Sequence, residues 1–241
     1  MAAPQIDIFS YRSPNWSPRP VGVSPDMIVM HTGEGSKKSD LEALMDDKRP
    51  LAKRVSAHYY VDKTGKVYEL VSPNREAWHA GTSSWQGRGS LAIRQHSIGI
   101  ESEHRAGEAW PTVQKEAYAA LMRYLIERYH IRKDMIAAHR WIAKGRKSDP
   151  TDWPDAELKP WIAALYAPLA RLWRVTDPSG VNVRAEATAA SPKIAPALPQ
   201  GTLFHGSPVQ GAAVGVNNVW VARLPSEGGG NMWSGALEEV K

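Results

Sequence analysis

At 241 residues the chain has room for one large or two modest domains, and a hydrophobic content of 42% suffices for a buried core. It contains no cysteine, which excludes disulfides and thiolate metal ligands, so any metal must be held by histidine and carboxylate. The formal net charge of +5 gathers before residue 171, where 24 basic residues face 20 acidic ones; this suits plain solubility or approach to polyanionic polymers, and the lack of a dense Lys/Arg block argues against nucleic acid as a partner.

Residues 1–26 hold Pro4, Pro14, Pro18, Pro20 and Pro25 without periodicity, which predicts an extended lead-in draped on the domain that follows. Its first residues show no basic leader with an apolar core, and no stretch approaches a membrane span, so the expectation is a chain made in the cytosol without membrane insertion. Met27 to His31 reads as a buried strand. Ser39-Asp-Leu-Glu42 has capping-box spacing and predicts a short helix, while His58 to Val61 and Lys66 to Val71 flank the turn Asp62-Lys-Thr-Gly65 and predict a hairpin. Ser97 to Ser102 reads as a further strand. Thr112 after Pro111 opens the clearest helix, with Val113, Ala117, Leu121, Leu125 and Tyr129 at helical spacing and Met122 and Ile126 widening the stripe. A second helical stretch follows Pro160 and runs through Leu165, with Pro168 near its end. Strands alternating with helices give an α/β fold with a mixed central sheet flanked by helices. From Leu172 onward short apolar runs alternate with turn residues: Leu172 to Val175, Asp177 to Gly180, Val181 to Arg184, Gly201 to Phe204 and Val219 to Ala222. That rhythm predicts a small all-β barrel. The expected organisation is a catalytic domain over 1–168, including the lead-in over 1–26, and a β domain over 172–241.

Three residues stand out chemically. His31 ends the apolar run Met27-Ile-Val-Met30, and His139 and Asp149 flank the basic loop Arg140 to Ser148, with 108 residues between the two histidines. Two neutral imidazoles and a carboxylate make a common catalytic metal set, because three protein ligands leave a fourth position for a water whose pKa falls to about 7. The set points to a hydrolase, although no H-E-x-x-H signature places two ligands on one helix face. Such chemistry also needs a carboxylate to carry protons. In Ser97-Ile-Gly-Ile-Glu101 the strand alternation places Ile98 and Ile100 on one face and Gly99, Glu101 and Glu103 on the other, so two carboxylates share the open face.

The words Ile28-Val-Met-His-Thr32, Arg54-Val-Ser-Ala-His-Tyr-Tyr-Val61, Ala77-Trp-His-Ala-Gly81, Ser97-Ile-Gly-Ile-Glu101 and Gly145-Arg-Lys-Ser-Asp-Pro150 occur in the order and spacing of one family. Over roughly residues 25–165 the chain resembles the zinc-dependent N-acetylmuramoyl-L-alanine amidases of type 2, which include amidase-class phage lysozymes and the peptidoglycan recognition proteins. The resemblance implies the type 2 amidase fold and Zn2+ held by His31, His139 and Asp149. It implies Glu101 as general base and Lys147 as the cation that stabilises the oxyanion; without it Lys147 reads as part of a solvated basic loop. Where the lysozyme and recognition-protein branches place a functional tyrosine, this chain has Ala57, so Ser56-Ala-His58 resembles the branch that relies on glutamate and lysine. For substrate binding the resemblance implies Arg54, facing a substrate carboxylate, and the loop of Ala77, Trp78, His79 and Trp85, lining the groove. Arg94-Gln95-His96 departs from the Asn and Asp common in the family, and His58 is expected buried and hydrogen bonded, with Glu103 solvated or outlying. Gly180-Val-Asn-Val-Arg-Ala185 resembles the opening of a bacterial SH3-like domain, a module that targets amidases to wall peptide; the alternative is a β appendage that only stabilises the enzyme or a dimer.

The leading expectation is an endolysin of phage type that cuts between N-acetylmuramic acid and L-alanine in peptidoglycan, the glycan strand with its stem peptide being the partner. It would be made in the host cytoplasm and act after holin-type or lysis-dependent release. Two alternatives remain: a non-catalytic peptidoglycan-binding protein, and a cytosolic amidase recycling anhydro-muropeptides, against which the extra β domain speaks.

Overall fold

The structure, a computed structural model, describes residues 4–167, 171–214, 217–223 and 229–240. The chain divides into two compact units, Met1–Tyr166 and Ala167–Lys241. Pro168, and with it the expected domain boundary, lies outside the described residues.

In chain order the first unit comprises β1 (Ile6–Asp7), β2 (Trp16–Pro18), β3 (Met27–Met30), α1 (Lys37–Met45), β4 (Tyr59–Val61), β5 (Val67–Glu69), β6 (Arg75–Ala77), β7 (Ser84–Trp85), β8 (Arg88–Gly89), α2 (Ser90–His96), β9 (Ser97–Ser102), α3 (Thr112–Tyr129), β10 (Ile136–Ala138), α4 (His139–Ile142) and α5 (Asp155–Ala164). Six strands form the main sheet in the order β1-β5-β4-β9-β3-β10. Only β4 and β5 pair antiparallel in it, as the hairpin; β1–β5, β4–β9, β9–β3 and β3–β10 are parallel. The sheet is therefore mixed, as its alternation with helices suggested. Met27 to Met30, Ile98, Ile100, Ala137 and Ala138 are fully buried, as expected of parallel strands covered on both faces. No helix among the described residues is long and apolar enough to cross a membrane.

Local chemistry adjusts several boundaries. The lead-in is extended but also supplies two strands, β1 on the edge of the sheet and β2 against β6, where Trp16 faces Ala77. Its Asn15 is fully buried because its side-chain amide donates to Asp46 O and Val55 O. Helix α1 starts earlier than the Ser39–Glu42 spacing implies. Ser36 is the cap, and Ser39 is its partner three residues on: the Ser36 N–H donates to Ser39 Oγ at 2.9 Å while Ser36 Oγ accepts from Ser39 N–H. Helix α5 also begins before its expected start after Pro160, because Pro154 occupies the cap and Asp155 and Glu157 fill the first turn, where negative charge meets the positive end of the helix dipole. Pro160 then sits inside the helix and forgoes one intrahelical bond.

Helix α3 keeps its expected bounds, but its buried face is Gln114, Tyr118, Leu121, Met122 and Leu125, and Val113 is 48% exposed. A polar residue turns inward because it has work there: Gln114 Nε2 donates to Val61 O at 3.1 Å and to Glu103 O at 2.8 Å, fastening the helix to the ends of β4 and β9.

The second unit is all antiparallel: β11 (Arg171–Val175), β12 (Val181–Arg184), β13 (Lys193–Leu198), β14 (Leu203–Val214), β15 (Asn217–Arg223), β16 (Asn231–Trp233) and β17 (Leu237–Glu239), in the order β13-β12-β16-β15-β14-β11-β17. Its own core is built from Trp173, Val175, Val181, Val183, Phe204, Val221 and Met232. Gly180 opens β12 with φ +78°, and a side chain there would place Cβ 2.5 Å from Leu198 O, so glycine is required.

Replacing Gln114 by leucine removes the side-chain donor from Glu103 O and one of the two donors from Val61 O, which keeps the Glu103 N–H. It is expected to cost about 1–3 kcal/mol and to lower the Tm in a thermal melt by several degrees; an unchanged Tm would show that this bridge does not hold α3.

Candidate metal centre and active site

Strands β3, β9 and β10 run parallel and end on one side of the sheet, where ligand sites of open α/β sheets form. His31 follows the last residue of β3 and stays tied to the neighbouring strand, its N–H donating to Ile100 O at 2.8 Å and its carbonyl accepting from Ser102. His139 directly follows β10 and opens α4. Asp149 comes from the loop after α4, folded back by a bond from Arg140 N–H to Asp149 O at 2.9 Å and by the Arg140 guanidinium, which donates to Pro150 O, Trp153 O and Asp155 Oδ1.

These arms bring the three side chains together. His31 Nδ1 lies 2.9 Å from His139 Nδ1, His139 Nδ1 lies 2.9 Å from Asp149 Oδ2, and His31 Nδ1 lies 3.3 Å from the same oxygen. All three residues are buried. A tetrahedral ion with ligands at about 2.0–2.1 Å has ligand-to-ligand edges of about 3.3 Å, so the triangle suits one divalent ion. The donor set agrees: His139 Nε2 reaches Ala80 O at 3.1 Å and is its donor, which leaves Nδ1 bare toward the triangle. Two ring nitrogens and a carboxylate oxygen packed this closely need a cation or a shared proton between them. These residues can therefore hold a metal ion.

The triangle forms part of the floor of a cavity of about 860 Å³ that Glu101, Lys147, Arg54, Trp78 and His79 also line. Glu101 lies in β9, and its buried Oε2 has no hydrogen-bond partner. Burial, helped by the negative charges of Asp149 and Asp40, pushes its carboxyl up to about 8, against the pull of Lys147. Asp149 is the opposite case. Burial opposes its ionisation, but its contacts with His139 and His31 outweigh that and hold the carboxyl well below the usual range. Burial pushes His31 down to about 4. Lys147 is exposed at the rim. Trp78 is fixed by its Nε1–H, which donates to Ser17 Oγ at 2.8 Å, and Arg54 spends its Nε–H on Arg49 O.

Other sequence expectations fall elsewhere. Ala77 is fully buried in β6 against Trp16 and does not line the cavity, because the β2–β6 pairing covers it. Trp85 lies outside the metal cavity, on a separate depression: its Nε1–H donates to Asp134 O and its ring stacks on Trp141 at 6.5 Å. His79 is 8% exposed and turns a nitrogen to His31, with Nδ1 lying 3.2 Å from His31 Nε2. Glu103 does not share the open face with Glu101. Chain pairing in β9 ends at Ser102, and the Glu103 carboxylate accepts from the N–H groups of Lys37 and Lys63. His58 is fully buried, with Gly99 N–H donating to its Nδ1 at 2.9 Å, and Ala57 packs in the small core with Leu41, Tyr60 and Leu70. Arg146 was not singled out as a site residue by sequence reasoning. It donates to Ala80 O and Thr82 O at 2.7 Å and so joins the Asp149 loop to the Ala77–Gly81 segment; its place between Gly145 and Lys147 was the available signal.

The model of the N-acetylmuramoyl-L-alanine amidase family matches residues 21–152. The chain is 32% identical to N-acetylmuramoyl-L-alanine amidase AmiD of Escherichia coli K12, over 59% of this chain and 59% of AmiD. It is 33% identical to the 1,6-anhydro-N-acetylmuramyl-L-alanine amidase AmpD of Salmonella typhimurium, over 59% of this chain and 84% of AmpD. The crystal structure of a selenomethionine derivative of AmpD superimposes with a TM-score of 0.56 at 30% identity, covering 68% of this chain and 95% of that one. Together with the site, these matches establish that the chain belongs to the N-acetylmuramoyl-L-alanine amidase family.

Proposed function

We propose that this chain hydrolyses the amide joining the lactyl carbonyl of N-acetylmuramic acid to L-alanine, with zinc at His31, His139 and Asp149, and that its substrates are small anhydro-muropeptides. The hydrolytic reading rests on the triangle of two Nδ1 atoms and Asp149 Oδ2, 2.9–3.3 Å on edge, in one cavity with Glu101 and Lys147. Retention of all three ligating side chains speaks against a protein that only binds peptidoglycan. The naming of AmpD as a 1,6-anhydro-N-acetylmuramyl-L-alanine amidase, together with the 84% of its length that the chain spans, supports the anhydro-muropeptide over the endolysin reading.

Zinc, when bound, polarises the scissile carbonyl, lowers the pKa of a water to about 7 and favours the ionised form of Glu101. Glu101 takes a proton from the water that attacks the carbonyl carbon. After the C–O bond forms, Glu101 passes a proton to the alanine nitrogen, so that the C–N bond breaks and leaves a lactyl carboxylate and a free L-alanine amine. The Lys147 ammonium stabilises the oxyanion that develops between these steps. Arg54 offers a planar fork to a substrate carboxylate, and the Trp78 ring covers an apolar face of the sugar.

One observation favours a second reading, an endolysin of phage type released from its host cytoplasm to act on the wall: the seven-stranded antiparallel unit that carries Gly180–Ala185, a motif resembling wall-binding SH3-like domains. Mass spectrometry after incubation with anhydro-muropeptides and with intact sacculi separates the two. Release of stem peptides from anhydro-muropeptides alone supports the first reading, while turnover of sacculi alone overturns it.

Chelation is expected to abolish amide cleavage and added zinc to restore it; full activity in metal-free protein would sink the metal reading. Glu101→Gln is expected to lower kcat by about 10²–10⁴-fold with zinc still bound, checked by kinetics alongside metal analysis. In the metal-free protein the stability that Glu101 contributes is fully present below its unfolded value of 4.5 and is lost as pH rises to about 8. Glu101→Gln should therefore raise the metal-free Tm above pH 8 and leave it nearly unchanged at pH 4.5, as read by melts across that range.

A further inference from the structure

His79 lines the cavity and lies against His31, yet it takes no part in the steps above. Its ring stands between two polar groups. His79 Nδ1 lies 3.2 Å from His31 Nε2, and His79 Nε2 lies 3.2 Å from Ser97 Oγ, which in turn lies 2.5 Å from Ile93 O. We propose that this column, Ile93 carbonyl to Ser97 to His79, fixes the tautomer and orientation of His31 so that its Nδ1 is bare toward the metal triangle.

Each assignment forces the next. Ser97 has a single hydroxyl proton, and the Ile93 carbonyl can only accept, so the proton lies between them. Ser97 Oγ then accepts from His79 Nε2–H. A neutral imidazole carries one N–H, so His79 Nδ1 is bare and accepts from His31 Nε2–H. His31 is left with its lone pair on Nδ1, the atom 3.3 Å from Asp149 Oδ2. The backbone is shaped to admit this ring: a Cβ on Gly99 would lie 2.6 Å from His79 Cγ. Ser97 is fully buried, so no solvent competes for its hydroxyl. His79 acts through His31 and is a positioning residue; the inference rests on the metal reading above.

The test is zinc affinity, measured on the full chain by competition with a chelator, beside the Tm of each metal-free variant. His79→Leu is expected to weaken zinc binding by about 10–100-fold, the usual effect of removing a partner of a ligating histidine. His79→Gln should recover most of this, because its amide can accept from His31 and donate to Ser97. Ser97→Ala should weaken zinc several-fold, since His79 is then free to present either tautomer. Zinc affinity of His79→Leu within twofold of wild type, or His79→Gln no better than His79→Leu, overturns the proposal. Should His79→Leu fail to fold, Ser97→Ala decides: unchanged affinity overturns the proposal and a several-fold loss supports it. A wild-type chain that takes up no zinc overturns the metal reading and this inference together, whereas a zinc-binding wild type with indifferent variants overturns this inference alone.

Discussion

The parallel pairing of β3 with β10 sets Met30 opposite Ala138, and the pairing of these two strands ends there. His31 and His139, 108 residues apart along the chain, therefore emerge side by side. On the other flank of β3, Met30 pairs with Ile100, which brings Glu101 to the same end of the sheet. The side-chain period of a strand is two, so a slip of one residue would send a ligand or the glutamate into the core. What prevents the slip is apolar: Met27, Ile28, Val29 and Met30 and their neighbours Ile98 and Ile100 are all fully buried. The polar chemistry is thus held in register by hydrophobic packing that touches no reacting atom.

Asp149 has no strand to place it, and its position depends on accounting for loop backbone groups that a sheet would otherwise satisfy. Arg140 takes up the carbonyls of Pro150 and Trp153 and pairs with Asp155, and the Thr151 N–H donates to Thr32 Oγ1, tying the loop to the residue after His31. Arg146 performs the same service toward Ala80 and Thr82. Exposed ion pairs contribute little to stability, but guanidinium groups aimed at loop carbonyls specify a shape, and here the shape sets where a carboxylate meets two imidazoles.

Strands β3 and β9, the β4–β5 hairpin and α3 were legible in the sequence because their signals are local: apolar runs, a turn sequence, a helical period; β10, which precedes His139, was not predicted. The convergence of His31, His139 and Asp149 was legible only through motif order, since no periodicity links residues so far apart. What the sequence hid was long-range. Gln114 lies off the apolar stripe, and its burial follows from carbonyls on two other elements. Ser36 and Ser39 offer competing caps, and the choice goes with the Asp40 carboxylate, which accepts from Gly35 N–H and Tyr60 OH. Ala77 and Trp85 belong to words that resemble groove residues, yet β2 covers the first and Trp141 takes the second. A motif carries its neighbours along in sequence, whereas a cavity admits only those whose side chains face it.

The two carboxyl groups of the cavity differ in environment. Burial disfavours ionisation of both, and what differs is the company each keeps. Asp149 Oδ2 lies within 3.3 Å of two imidazole nitrogens, and a proton shared with them in the metal-free fold holds it ionised, as the proposed ligand role requires. Glu101 Oε2 lacks any hydrogen-bond partner and sits near the negative charge of Asp149, so its proton is held until about pH 8. This divergence fits the proposed division, in which Asp149 supplies charge and Glu101 transfers protons. The assignment carries a cost in the metal-free fold, because an unpaired buried carboxyl destabilises as pH rises. A cation placed among His31, His139 and Asp149 relieves that cost, since it offsets the charge of Asp149 that Glu101 faces. In the proposed mechanism, metal binding, fold stability and the readiness of Glu101 to exchange a proton are therefore coupled, set by which oxygen has partners and which has none.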